Sequence, residues 1–264
     1  MRRCMIALIG FIAGLVFSSA LGAQTAPAAG AAKANATPSA PADPHDLSGV
    51  WRRRTGNLTM SNEMPPMTPE GQAKFNATKP GYGPRMVPPA LGNDPMGTCD
   101  PLGLTRLIFF EVAGRPMEMI QIPGRVIQFF EWAHVWREIW TDGRELPKDP
   151  DPRWLGYSVG KWNGDTFVVD SIGFDDRTWV DHFGAPHSDQ MRFQERYRRL
   201  DHDTMELSMT LTDPKMYTKP WVSETKILKL QPKTEIDELF CVPTEEQAFN
   251  KRMRDPAGGL VNKK

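Results

Sequence analysis

The chain has 264 residues, 40% of them hydrophobic, with 32 basic and 32 acidic side chains. That is enough for one substantial core, and it leaves no cationic excess of the kind that holds nucleic acid. No phosphate loop, dinucleotide fingerprint, metalloprotease helix motif or nucleophile elbow occurs, so the sequence assigns neither a cofactor nor a metal centre.

Residues 1–23 begin MRR, continue through an apolar run over 4–17 and end on small residues, the three parts of a secretory signal peptide. The run is shorter than the roughly 20 residues of a spanning helix, so a periplasmic or secreted protein without stable membrane insertion is expected. Loss of Arg2 and Arg3 would take two from 32 basic residues against 32 acidic ones, a net charge of about −2. Residues 24–44, nearly all Ala, Pro, Gly, Ser and Thr, read as a disordered linker. A single β-barrel domain is expected over 45–255, with a flexible tail over 256–264. In an oxidising compartment Cys99 and Cys241 are expected to bridge, tying a Pro- and Gly-rich surface flap over 79–102 to the C-terminal segment.

Strands are expected over 46–51, 106–112, 117–122, 125–132, 134–140, 155–162, 166–172, 191–200, 204–212 and 221–230, with a hairpin at Asn163-Gly164. Thr68-Pro69 has the pair of residue types that opens a helix, here to about 76. Thr244-Glu-Glu-Gln247 has capping-box spacing for a second short helix to about 254. No strand–helix–strand alternation appears. The fold class is therefore all-β: a mostly antiparallel barrel of about ten strands with two short helices, since closure leaves fewer exposed edges.

Period-two counting puts Trp132, His134, Trp136 and Glu138 on one strand face. Aromatic and ionisable groups alternating there predict the wall of an interior pocket for a small aromatic or carbohydrate-like ligand; the competing reading is a packed Trp face with His134 bound to a backbone carbonyl. Glu195 shares a strand face with Phe193 and Tyr197 and so lies among apolar neighbours, where a carboxylate must pair or take up a proton, with Arg137 or Arg199 as partner. Residues 173–191 crowd Asp175, Asp176, Asp181, His182, His187, Ser188 and Asp189 into one loop. His187 there has the ordinary pKa of a proton-transfer group, which Asp181 or Glu195 could orient while Arg137 or Tyr217 steadies an oxyanion. Zinc at His182, His187 and Asp181 is the weaker reading, because that spacing is unspecific.

Motifs recur through the middle of the chain: Trp140-Thr-Asp-Gly-Arg144, Leu146-Pro-Lys-Asp-Pro150, Gly156-Tyr-Ser-Val-Gly160, Gly164-Asp-Thr-Phe-Val-Val169, Thr178-Trp-Val-Asp181, Pro186-His-Ser188, Glu195-Arg196 and Asp213-Pro-Lys-Met-Tyr-Thr-Lys-Pro-Trp221. With these, the chain resembles a family of exported bacterial proteins of unassigned function over roughly residues 46–230. Its Gly49-Val-Trp51 opening and strand pattern are similar to those of lipocalin-like (calycin-like) barrels. The resemblance implies no activity and no cofactor; on matching positions it draws attention to Asp181, His187, Glu195, Tyr217 and Trp221. The leading expectation is a barrel that binds a small molecule, with Trp132, His134, Trp136, Arg137, Glu138, Tyr217 and Trp221 around the ligand. A non-metallo acid–base enzyme, a lyase, isomerase or hydrolase using His187, Asp181 and Glu195, is the alternative. An envelope scaffold, third, would show an exposed apolar patch in place of a pocket.

Overall fold

The computed structural model describes residues 43–54, 58–109 and 115–260. The expected leader, the linker up to residue 42, the last three residues of the strand expected over 106–112 and the tail from 261 lie outside the described residues.

Ten strands run β1 Gly49–Arg53, β2 Pro116–Ile122, β3 Arg125–Phe130, β4 Val135–Trp140, β5 Tyr157–Asn163, β6 Thr166–Ile172, β7 Arg192–Arg199, β8 Thr204–Thr212, β9 Trp221–Val222 and β10 Lys226–Leu230. They pair in that sequence from β1 to β9, and β10 closes the ring by pairing with both β1 and β8, a 9-strand barrel with β9 as an additional strand. Every neighbouring pair is antiparallel except β4 and β5, which are parallel over two register positions, Ile139↔Ser158 and Trp140↔Val159. Parallel neighbours need a crossover of a dozen or more residues, and residues 141–156 supply one. The expected barrel is therefore present but mixed.

The strand expected over 106–112 is instead a helix, α2 Leu104–Phe109. Leu104 to Ile108 are all buried, Thr105 and Arg106 included, and a short run buried on every side has no period by which strand and helix can be told apart. The helix α1 Pro69–Ala77 starts as read, with the Thr68 hydroxyl accepting from Gly71 N. The C-terminal helix α3 Pro243–Phe249 forms, but Val242 is its N-cap with no side-chain bond, so the capping box is not made; the helix continues through a π turn, Asn250–Arg254, into α4 Asp255–Ala257. The hairpin between β5 and β6 pairs Asn163 with Thr166, which makes Gly164 and Asp165 its two loop residues. Gly164 takes φ 57, a conformation a side chain resists.

Alternation along the strands sends Val126, Gln128, Phe130, Arg137, Ile139, Ser158, Phe167, Val169, Ser171, Phe193, Glu195, Tyr197, Met205, Leu207, Met209 and Leu211 inward, all buried. Packing is close: a Cβ on Gly160 would lie 2.4 Å from Phe167 and 2.8 Å from Ile139. The two ends of the barrel differ. Tight turns at 123–124, 164–165 and 200–203 close one end, while α1, α2, the flap, the 173–191 loop and the C-terminal segment gather at the other. Cys99 and Cys241 are bonded there, across a sequence separation of 142.

Candidate functional site

Inside the barrel, the Glu195 carboxylate accepts from Arg137 Nη2 at 2.6 Å and from the Tyr197 hydroxyl at 2.6 Å, both on Oε1. Arg137 also donates through Nε to Gln128 at 2.7 Å and through Nη1 to Ser158 at 3.3 Å. Burial opposes the Arg137 charge, but the adjacent Glu195 and Tyr197 outweigh it and raise its pKa; burial and Glu195 together push the Tyr197 phenol up. These residues form a desolvated network that is 0% exposed at Glu195. The partner expected for Glu195 is present; the ligand-binding role expected for Arg137 falls to a side chain committed to structure.

Most of the 173–191 loop is turned into the long-loop end of the barrel; Asp176, Arg177, Asp189 and Gln190 are exposed at its surface, and the rest is largely buried. His187 is 1% exposed. Its Nδ1–H donates to the Ser188 carbonyl at 3.1 Å, which leaves Nε2 to accept from the Thr178 hydroxyl at 2.6 Å. Burial lowers its pKa. Asp181 accepts from the Thr59 hydroxyl at 2.5 Å and from the amides of Phe183 and Ala185 at 2.9 and 3.1 Å, and burial raises its pKa. Neither Asp181 nor Glu195 bonds to His187, so the expected acid–base pairing is not made. Its physical reason is local: a short carboxylate or imidazole in a buried loop satisfies the loop's own backbone first. The His182 ring lies tilted against Tyr82, centre to centre 3.8 Å, and burial lowers its pKa to about 4. Tyr217 donates to the Pro186 carbonyl of this loop at 2.8 Å, and Trp221 Nε1 donates to Ser61 at 2.9 Å; both rings are buried, with centres 5.6 Å apart. The organiser that reading the residues missed is Asp213, whose carboxylate accepts from Ser188 N at 2.6 Å and Ser188 Oγ at 2.8 Å. Among the described residues no group of three or more His, Cys, Asp or Glu side chains is placed to hold a metal ion.

The Trp-rich face of β4 points away from the barrel interior. Val135, Arg137 and Ile139 face inward, whereas Trp136 is 54% exposed, so the grouping of Trp136 with Glu138 holds and the side on which they lie is corrected. Because β5 meets β4 only at Ile139 and Trp140, the first half of β4 has no strand beside it on that flank. A cleft of about 350 Å³ fills the gap, walled by Trp132, His134, Trp136, Trp154, Leu107 and the Cys99–Cys241 bridge. Its volume is within the range of small-molecule sites. Glu138 is bound by Arg125 and lines the neighbouring groove instead.

Three non-glycine residues among those described have positive φ: Cys99 at 62°, Ala133 at 57° and His134 at 49°. All three line this cleft. Such backbone is strained by about 1–3 kcal/mol per residue and persists only where the surroundings enforce it. Here the enforcement is visible: Ala133 N donates to Leu239 O at 2.7 Å, and His134 Nε2 meets the Asp237 carbonyl at 2.6 Å, so the C-terminal segment clamps the β3–β4 corner. Trp154 and the cysteines were not anticipated as part of this wall. Trp154 follows a Pro- and Asp-rich loop with no strand period to assign it a side.

Comparison with family models, with curated proteins and with solved structures gave no match.

Proposed function

We propose that this chain is an exported β-barrel protein that binds a small aromatic or carbohydrate-like ligand, and that the ligand lies in the outer Trp-walled cleft and not in the barrel interior. The coincidence of all the positive-φ non-glycine residues described with one aromatic cleft carries the reading. Strain held in place at an open, apolar hollow with a few polar groups is the signature of a preformed site, and Trp faces suit both aromatic rings and sugar rings. The disulfide supports export, since such bonds persist in oxidising compartments. The acid–base alternative has no comparable support, because His187, Asp181 and Glu195 are each bonded to different neighbours.

Calorimetric titration with indole and with a panel of simple glycosides tests this. Saturable binding is expected, weakened about tenfold or more by Trp154→Ala. Binding that survives Trp132→Ala and Trp154→Ala unchanged would place the ligand elsewhere.

A further inference from the structure

The cleft does not end at Trp136 and Trp154. Both residues, with Leu155, also line a second groove of about 690 Å³ that runs along the β4–β5 flank past Trp140 and Tyr157. The two hollows are one continuous surface with an aromatic waist. Guanidinium groups sit over the aromatic rings around it: Arg144 at 3.5 Å from the Trp140 ring centre, Arg153 at 4.0 Å from that of Tyr157 and Arg177 at 4.3 Å from that of Trp154.

These arginines are not equivalent. Arg144 is paired with Asp142 at 2.6 Å and Arg177 with Asp175 at 2.6 Å, while Arg125 is held by Glu138 and Arg137 by Glu195. Arg153 has no carboxylate partner among the described residues, and it is the residue next to Trp154. Its backbone is fixed on both sides: the amide donates to Gly173 O at 2.9 Å, and the carbonyl accepts from Asp175 N at 3.0 Å and Gly156 N at 3.2 Å. A guanidinium whose backbone is anchored and which rests over a ring has less rotamer freedom to lose when a ligand arrives, and it still offers a planar fork of N–H donors. That fork matches a carboxylate bidentately.

We infer that the ligand is an acid: its ring occupies the Trp132–Trp136–Trp154 cleft and its carboxylate is taken by Arg153. This rests on the proposed binding function and narrows its ligand class. Two kinds of molecule present that chemistry, an aromatic carboxylic acid and a sugar ring bearing a carboxylate. Glu145 lines the same groove without an ion-pair partner among the described residues, so it acts against an anion there and serves as a control of opposite sign.

The test pairs each acid with a neutral counterpart of the same shape: indole-3-acetate with indole-3-acetamide, and methyl glucuronide with methyl glucoside. For at least one pair the acid should bind about tenfold or more tightly than its partner, the scale of a charge-assisted hydrogen bond. Arg153→Gln should abolish that advantage and leave the neutral probe unchanged, Glu145→Gln should strengthen the acid, and added salt should weaken it. The pair that shows the effect identifies the ring. Equal binding of acid and neutral probe in both pairs, or an Arg153→Gln loss shared by both members, overturns the inference alone. Binding of none of the four probes overturns the cleft reading and this inference with it.

Discussion

The 173–191 loop and the aromatic cleft lie at the same end of the barrel, and both are rich in side chains that could do chemistry. They differ in where those side chains spend their bonding capacity. In the loop, His187, Asp181 and Ser188 bond to Thr178, Thr59, Asp213 and the loop's own backbone. In the cleft, Trp136 is exposed and the strained corner at Ala133 and His134 is held from behind by residues 237–239. The centre of a dense run of ionisable residues, Asp181 to Ser188, is thus a buried plug with Asp176 and Asp189 left at its surface, and a Trp stripe that could have been core is an open wall. Local density of functional groups does not separate a site from a plug; the partners of each group do.

The largest effect should come from the bridge that both closes the cleft and ties the flap to the tail. In the chain-entropy account a loop of this length stabilises the fold by roughly 4–5 kcal/mol. The Cys99→Ser, Cys241→Ser double variant should therefore show a markedly lowered urea midpoint together with weakened cleft binding. Retention of both would detach the cleft from the bridge.

Arg137→Met removes the cation from the interior network and leaves Glu195 desolvated without its partner. A broken buried pair costs about 3–5 kcal/mol, read as a shift in the denaturation midpoint. If Arg137→Met retained full stability, the interior would be wetter than the buried network requires, and an interior ligand site would regain its case.

His187→Gln sharpens the contrast between the two regions. If the loop is a plug, losing the bonds to Thr178 and the Ser188 carbonyl should destabilise the protein by about 1–3 kcal/mol and leave ligand affinity unchanged. Intact stability with lost affinity or lost turnover would reverse the assignment of the two regions.

Acid titration supplies a smaller effect with a defined sign. His182 falls from 6.5 to about 4 on folding, so between those values the unfolded chain binds the proton first, and stability falls as pH drops through that window. Asp181 runs the other way. Its folded pKa is raised above 3.8, so the folded state takes up that proton first, and the contribution is present in acid and lost as pH rises. His182→Gln should flatten the acid-side decline of the unfolding free energy, and Asp181→Asn should steepen it. Parallel curves for both variants would show that neither group is desolvated as described.

Much of the fold was legible. β6 and β8 occupy the expected residues, and the inward face of β7 was identified from Phe193, Glu195 and Tyr197, because a half-buried strand with period two reports its own orientation. The helix at Leu104 was not legible, since Leu104 to Ile108 are all buried, polar Thr105 and Arg106 included, and so show no exposed face from which a period could be read. Nor was the parallel β4–β5 pair, which depends on residues 141–156 crossing the length of the barrel, a matter of path and not of local pattern. The site was half legible: Trp132, His134 and Trp136 were singled out and do share a cleft, but counting by twos across residues 131–134 carried a strand rule through a corner where Ala133 and His134 have positive φ. Which side of a closed sheet faces the core is settled by the far wall of the barrel, and β4 does not contain that information.

The central claim is that binding happens on the barrel's flank and not within it. A crystal of the protein soaked with indole answers this directly. The account predicts density between Trp132, Trp136 and Trp154, with the Arg137–Glu195 network undisturbed; density inside the barrel against Glu195, or beside His187 with the loop displaced, would contradict it.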